Sequence, residues 1–588
     1  MNPSMRNPLF SAATFGALLL TALALGAWQA SIRAPFSTVA HADPAGVKYT
    51  GADSCSSTQC HGASKPAPGY PGDCSHNENT IYFKKDAHAQ AFSSKDGKKG
   101  LNNALSTKIA ANLGIKNAAE SQRCLSCHAL SGFSNGETKS RIGLDFQQDI
   151  DPVALKDKKF SPKQGINCDG CHGPSAKYLN LHVDKGWTQQ QRTVLGSEKL
   201  FNQFGLYDTK NLKFRANSCV SCHLKIEADL IKADHPELPF ELDTFCHGEW
   251  MHWRPSGDYY GAKAWAMGQF VSLREAALQL AERIKGGNNV DPGLKFDSYK
   301  QLSAHLLMAR HPAKLIAPEL QAQLDQQLAE VVDFKANNAK AEAALHAMGK
   351  TADALADKLN GMKLDGALVE KLVACVAAEG EAAGTRGFRS AQQYQYALTA
   401  LWETNFLKGA APDADPKALK LKTKNDPITQ KIADLAELVA DAGEYKAANF
   451  IKLAKELMVA IPGCAALPFP PNGPDFGGIS AAIEPASVVP PPVIPPVIPP
   501  VTPPVVVPPP VTPPVVPPVI PPVTPPVVVP PPPVVPPVVP PVAPPIQNPP
   551  QPQPPTGKFQ FCPECGRKFP FEFKYCPVDG HQLLRIQN

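Results

Sequence analysis

Residues 168–172 read CDGCH, and the same Cys-X-X-Cys-His pattern recurs at Cys124/Cys127/His128 and at Cys219/Cys222/His223. Residues 55–61, CSSTQCH, give a stretched version at Cys55/Cys60/His61. Two thiols so placed add to the two vinyl groups of a haem, and the adjacent His meets the iron as its proximal ligand. A single match is a moderate signal, but four between residues 55 and 223 point to a multihaem c-type cytochrome region with four haem c groups. The proximal ligands expected are His61, His128, His172 and His223. At the first site four residues separate the thiols; a longer loop still spans both vinyls, and the alternative is attachment through Cys60 alone.

What occupies the opposite face of each iron decides what the haems do. A second His gives six-coordinate iron suited to electron transfer, whereas an open face binds a substrate. His88, His182, His235 and His252 are the distal candidates, ahead of His76 and His247.

Working outward, residues 43–260 hold every haem motif and show little sustained apolar periodicity, so few and short helices are expected there. From 261 to 466 the composition turns to Ala, Leu, Lys and Glu. Phe270, Leu273, Ala277, Leu280 and Ile284 recur at helical spacing. Asp426-Pro427 reads as an N-cap followed by a first-turn proline. This α-helical bundle offers no cluster of metal ligands, and His305, His311 and His346 read as packing or surface residues. Of the cysteines left over, Cys74 with Cys246 and Cys375 with Cys464 form an even set for two disulfides, with buried or free thiols as the other reading.

The chain has 588 residues, of which 63 are proline. Residues 467–556 form a Pro/Val-rich linker, and its core is almost pure Pro and Val. Proline removes the amide donor and fixes φ, so a disordered polyproline II spacer is expected, reaching roughly 200 Å if straight at about 3.1 Å per residue. In 557–588, Cys562/Cys565 and Cys576 are spaced as in a zinc ribbon. Asp579 or His581 is available as the fourth ligand for one Zn.

At the other end, Arg6 precedes an apolar run, and residues 1–42 read as a signal peptide with Ala40-His41-Ala42 before the cleavage point, or as an uncleaved anchor. A periplasmic or otherwise exported protein follows. The Pro-rich segment or the N-terminus would associate it with envelope or membrane. The net charge of +5 is offset by haem propionates and gives no argument for nucleic acid.

"CDGCHGPSAKYLNLH", "KKDAHAQAF" and "HPELPFELDTF" resemble the cytochrome c-554 type of multihaem cytochromes over residues 48–255. The resemblance implies a protein that shuttles electrons between redox partners along closely stacked haems. It also implies that three haems are bis-His and that the second is five-coordinate, here the one held by Cys124, Cys127 and His128. The fold class expected is mainly α: a tetrahaem domain with few regular elements, a helical bundle, the spacer and a small zinc-ribbon-like domain. The competing function is a multihaem oxidoreductase acting on a small nitrogen or sulfur compound at a five-coordinate haem.

Overall fold

The computed structural model describes residues 48–66, 74–94, 96–129, 151–183, 187, 189–224, 226–248, 259–332, 339–407, 426–470, 473, 474 and 476. It also gives the backbone of three short strands near the C-terminus. The expected signal peptide and polyproline spacer lie outside these residues. Among the described residues, no helix is long and apolar enough to cross a membrane.

The structure is mainly helical. Helices in the motif-bearing half are short: α1 (Glu78–Lys85), α2 (Ala104–Asn112), α3 (Gln122–His128), α4 (Cys168–His172), α5 (Ser197–Phe204), α6 (Leu212–His223) and α7 (Leu242–Gly248). Their apolar clusters are correspondingly small. One joins Phe92, Leu101, Ala110, Ala118, Leu125 and Ala129, and another joins Tyr178, Trp187, Leu195 and Leu200.

The second half is built around α8 (Tyr260–Lys285), which packs against α9 (Pro292–Ile316), α11 (Ala339–Asn360) and α14 (Phe388–Leu407). Helices α10 (Pro318–Val332), α12 (Gly366–Ala378), α13 (Gly380–Thr385), α15 (Pro427–Leu438) and α16 (Ala447–Ala460) complete the bundle. The expected face of α8, from Phe270 to Ile284, is buried, but so is most of the rest of the helix, Trp265 and Met267 included. It is a central helix, buried nearly all round, with Gln269, Arg274, Glu275 and Arg283 among its buried residues. N-caps start the helices as the residues dictate. Asp291 precedes Pro292, Asp365 accepts from the Leu368 amide at 2.8 Å, and Asp426 accepts from the Thr429 amide at 2.7 Å ahead of Pro427.

The division near residue 260 is not a boundary between cores. Leu212, Ala216, Val220 and Leu224 of the α6 segment, with Phe240 and Leu242, belong to the same apolar core as α8. The fit is close: a Cβ on Gly268 of α8 would stand 2.6 Å from the Leu242 Cβ, so the glycine lets α7 approach. Polar hooks reinforce it. Arg274 donates to Asn217 Oδ1 at 2.7 Å, and Gln279 Nε2 donates to the carbonyls of Leu224 and Ile226 at 2.9 and 3.1 Å. Lys213 reaches Asp353 at 3.0 Å and Asp357 at 2.6 Å.

Near the C-terminus, β1 (Phe559–Phe561), β2 (Lys568–Pro570) and β3 (Leu584–Arg585) form an antiparallel sheet in the order β2-β1-β3.

Cys375 and Cys464 are joined, closing a loop of sequence separation 89. Cys74 and Cys246 are not joined, against the expected pairing. Cys74 lies beside His61 and Glu78, while Cys246 packs against the main core. Replacing Cys375 and Cys464 together by Ala should lower the unfolding free energy by about 4 kcal/mol, through the released loop. The guanidinium midpoint reads this, and an unchanged midpoint would show that the bridge does not constrain the unfolded chain.

Candidate functional site

Three motifs end in a helix. Residues at i, i+3 and i+4 share one helical face, so Cys124, Cys127 and His128 on α3, Cys168, Cys171 and His172 on α4, and Cys219, Cys222 and His223 on α6 each present two thiols and an imidazole together. At the stretched motif a 3₁₀ turn (Ala52–Cys55) is followed by a loop that folds back on itself. The Cys60 amide donates to the Ser57 carbonyl at 2.9 Å and the His61 amide to the Cys55 carbonyl at 3.2 Å. The extra residues are looped out, and His61 returns to Cys55.

The first and third motifs share a buried frame. Asp169, within α4, accepts from the amides of Thr50 and Gly51, both at 2.8 Å, and burial pushes its carboxyl up. Asn167 caps α4 by accepting from the Asp169 amide at 3.0 Å. After α4, Gly173 has φ 80°, and a Cβ there would stand 2.2 Å from the Gly205 carbonyl oxygen. Only glycine turns the chain at this point.

The imidazoles meet in pairs that no local spacing announces. His61 faces His182 with ring centroids 6.0 Å apart and planes 10° from parallel. His128 faces His235 at 6.4 Å, and His223 faces His88 at 6.4 Å. Each pair joins a motif His to a distal candidate. Two imidazoles bound at about 2 Å on opposite sides of one metal stand with ring centres about 6 Å apart, so these spacings fit an iron between each pair.

In five of these six imidazoles the second ring nitrogen agrees with that fit. Nδ1 of His128 bonds the Ala91 carbonyl at 2.7 Å, that of His182 the Tyr178 carbonyl at 3.0 Å, and that of His235 the Pro236 carbonyl at 2.8 Å. Nδ1 of His61 bonds Glu78 Oε2 at 2.9 Å and that of His88 bonds Asp86 Oδ1 at 3.1 Å. A metal-ligating imidazole characteristically donates its other N–H to a carbonyl or carboxylate, which fixes the tautomer and leaves Nε2 for the metal. Burial also pushes His182 and His235 down, towards the neutral form that ligates. His61 is instead pushed up to about 10 by Cys74, 3.4 Å away, and Glu78, which hold its Nδ1 proton.

The resemblance implied an open second iron, at His128; the structure places the His235 ring opposite it. His172 belongs to none of the three pairs. Its backbone carbonyl accepts from the Tyr207 amide at 2.8 Å and from Tyr178 Oη at 3.2 Å. His252 and the side chain of His247 lie outside the described residues, as do Cys562, Cys565, Cys576, Asp579 and His581. His76 makes no such ring pair among the described contacts; its Nδ1 bonds the Cys60 carbonyl at 2.7 Å. In the bundle, His305 bonds Gln269 and His311 is buried against Glu379 at 2.6 Å, so both are packing residues, and His346 lies near Glu342 at the surface.

Residues 72–173 match the family model described as cytochrome c554 and c-prime. This match supports a c-type cytochrome family. Such a family carries covalently bound haem c and serves haem-based electron transfer. The matched stretch takes in His88 and the second and third motifs but neither the first motif nor the fourth. No curated protein and no solved structure matches the chain.

The residues that hold the imidazoles stand outside the cysteine-histidine motifs: Glu78, Asp86, and the aromatic rings Phe240 and Phe245, which pack on His223 at 5.2 and 5.8 Å. Asp86, two residues before His88 and accepting its amide at 2.8 Å, carried a readable capping signal. Glu78 carried none.

Next to Phe240, Glu241 is buried and accepts from the amides of Asp243 and Thr244 at 2.9 and 2.7 Å, anchoring the start of α7. Burial, then the charge of Asp243, push its carboxyl up to about 7. The folded state therefore holds a proton that the unfolded chain releases near pH 4.5. The resulting stabilisation is complete below that pH and is lost as pH rises through about 7. Glu241→Gln should flatten the decline of unfolding free energy between pH 5 and 8; an identical decline in both proteins would remove the assignment.

Proposed function

We propose that the chain is an exported tetrahaem c-type cytochrome that passes electrons between redox protein partners. Cys55/Cys60, Cys124/Cys127, Cys168/Cys171 and Cys219/Cys222 would attach the haems, with His61, His128, His172 and His223 as proximal ligands. His182, His235 and His88 would complete the first, second and fourth irons. For the third, His252 is the sequence's remaining distal candidate. The bound groups supply one-electron iron chemistry; the protein supplies fixed axial ligands and an apolar setting.

The observation that carries this reading is the meeting of three motif imidazoles with three non-motif imidazoles across the fold. Iron held on both faces changes oxidation state with little rearrangement and offers no coordination position to a substrate. An oxidoreductase acting on a nitrogen or sulfur compound needs an open face, and the three paired sites do not provide one.

The remaining segments would position the redox unit. An N-terminal export signal fits haem attachment outside the cytoplasmic membrane, and the Pro/Val spacer would hold the C-terminal unit at a distance. One Zn bound by Cys562, Cys565 and Cys576 with Asp579 or His581 is supported by the order of elements along the chain. The first two cysteines fall between β1 and β2, and the other residues between β2 and β3.

Pyridine haemochrome analysis of the purified protein should give four haems per chain, falling by one when both cysteines of any motif are replaced by Ala. Electron paramagnetic resonance should show mainly low-spin ferric iron. Fewer haems, or a dominant high-spin signal that binds cyanide with turnover of a small substrate, would overturn the electron-carrier reading.

A further inference from the structure

The acceptors bonded to the axial imidazoles differ in charge from site to site. At the second site both rings donate to neutral backbone carbonyls, His128 to Ala91 and His235 to Pro236. At the first site His182 donates to the Tyr178 carbonyl, but His61 donates to the carboxylate of Glu78 at 2.9 Å. We propose that Glu78 is a positioning and tuning residue that sets the first haem's reduction potential below that of the second. This rests on the reading of His61, His182, His128 and His235 as axial ligands.

The carboxylate is built to do this. Glu78 opens α1, where the helix N-terminus favours a negative charge. Its Oε1 is occupied by the Ser75 amide at 2.6 Å and the Ser75 hydroxyl at 2.7 Å, and its Oε2 takes His61 at 2.9 Å and, at the longer distance of 3.7 Å, the Cys74 thiol. The one Ser75 hydroxyl proton is shared between Glu78 Oε1 and Asn77 Oδ1, 2.6 Å away, so the turn before α1 fixes the carboxylate's orientation. The Glu78 side chain is 14% exposed, so solvent screens its charge little. Asp86 makes a looser version of the contact at His88, because the oxygen 3.1 Å from Nδ1 also accepts the His88 amide.

A hydrogen bond from Nδ1–H to an anion moves negative charge onto the imidazole and raises its basicity as a ligand. The more electron-rich ligand and the nearby negative charge both favour ferric over ferrous iron. The first site is thereby the more reducing, and electrons entering there run downhill towards the second. The chain thus carries a built-in polarity that the motif count does not reveal. A purely structural role for Glu78, as a helix-start anion, would leave the potentials unmoved.

The test is a redox titration of the full-length holoprotein with Glu78→Gln, followed optically and by electron paramagnetic resonance. Gln keeps an acceptor oxygen but removes the charge. One midpoint potential should shift upward while the others stay in place, and one low-spin signal should change its g-values. Glu78→Asp, which keeps the charge at a longer reach, should restore most of the shift; it is also the deciding variant if the Gln protein loses a haem. Unchanged potentials and g-values in a protein with all its haems overturn the tuning role and leave the ligand reading intact. If instead His61→Ala leaves every low-spin signal unchanged, the ligand reading itself fails.

Discussion

Two imidazoles that meet from distant parts of the chain, as His61 and His182, His128 and His235, and His88 and His223 do, are the constraint on which the motif-bearing half depends. A cysteine-histidine motif supplies one of them, and the chain returns from elsewhere with the other. His182 comes back to His61 from beyond the third motif, His235 to His128 from beyond the fourth, and His88 meets His223 from near the start. These crossings tie short helices together where apolar clusters are small. Haem-filled space would supply the burial that the side chains do not.

The helical bundle acts on the same constraint from the other side. The helix that ends in Cys219, Cys222 and His223 is buried in the bundle's core, and Gln279 and Arg274 grip it and the residues just after it. Phe240 and Phe245 then close over His223. The bundle is therefore a mount for the fourth motif and shares its hydrophobic core with it. Cys375–Cys464 ties the end of the bundle to α12, and Arg310 and Arg386 hold the carbonyls of Pro468 and Pro470 just beyond it. The chain is thus anchored immediately before the proline-rich stretch begins.

What could be read from residues alone follows from range. The motifs are local, so the helical faces at residues 124–128, 168–172 and 219–223 follow from spacing. The Asp426-Pro427 cap is equally local and is present. The choice of which His faces which is not local, and four distal candidates could be named from sequence but not assigned. No local signal around the His128 motif announces that the His235 ring comes to 6.4 Å from it. The core shared across residue 260 is hidden from the sequence for a related reason. The apolar face of α6 is interrupted by motif residues, so its membership in the bundle core shows only when α8 is beside it. The Cys74–Cys246 pairing rested on parity, which carries no distance, whereas the Cys375–Cys464 bridge joins two segments of the same packed bundle.

The most direct test of the central claim is an iron anomalous-difference map from crystals of the holoprotein. The account predicts iron peaks between His61 and His182, between His128 and His235, and between His88 and His223. Irons bound at the motif imidazoles but facing away from these three partners would contradict it.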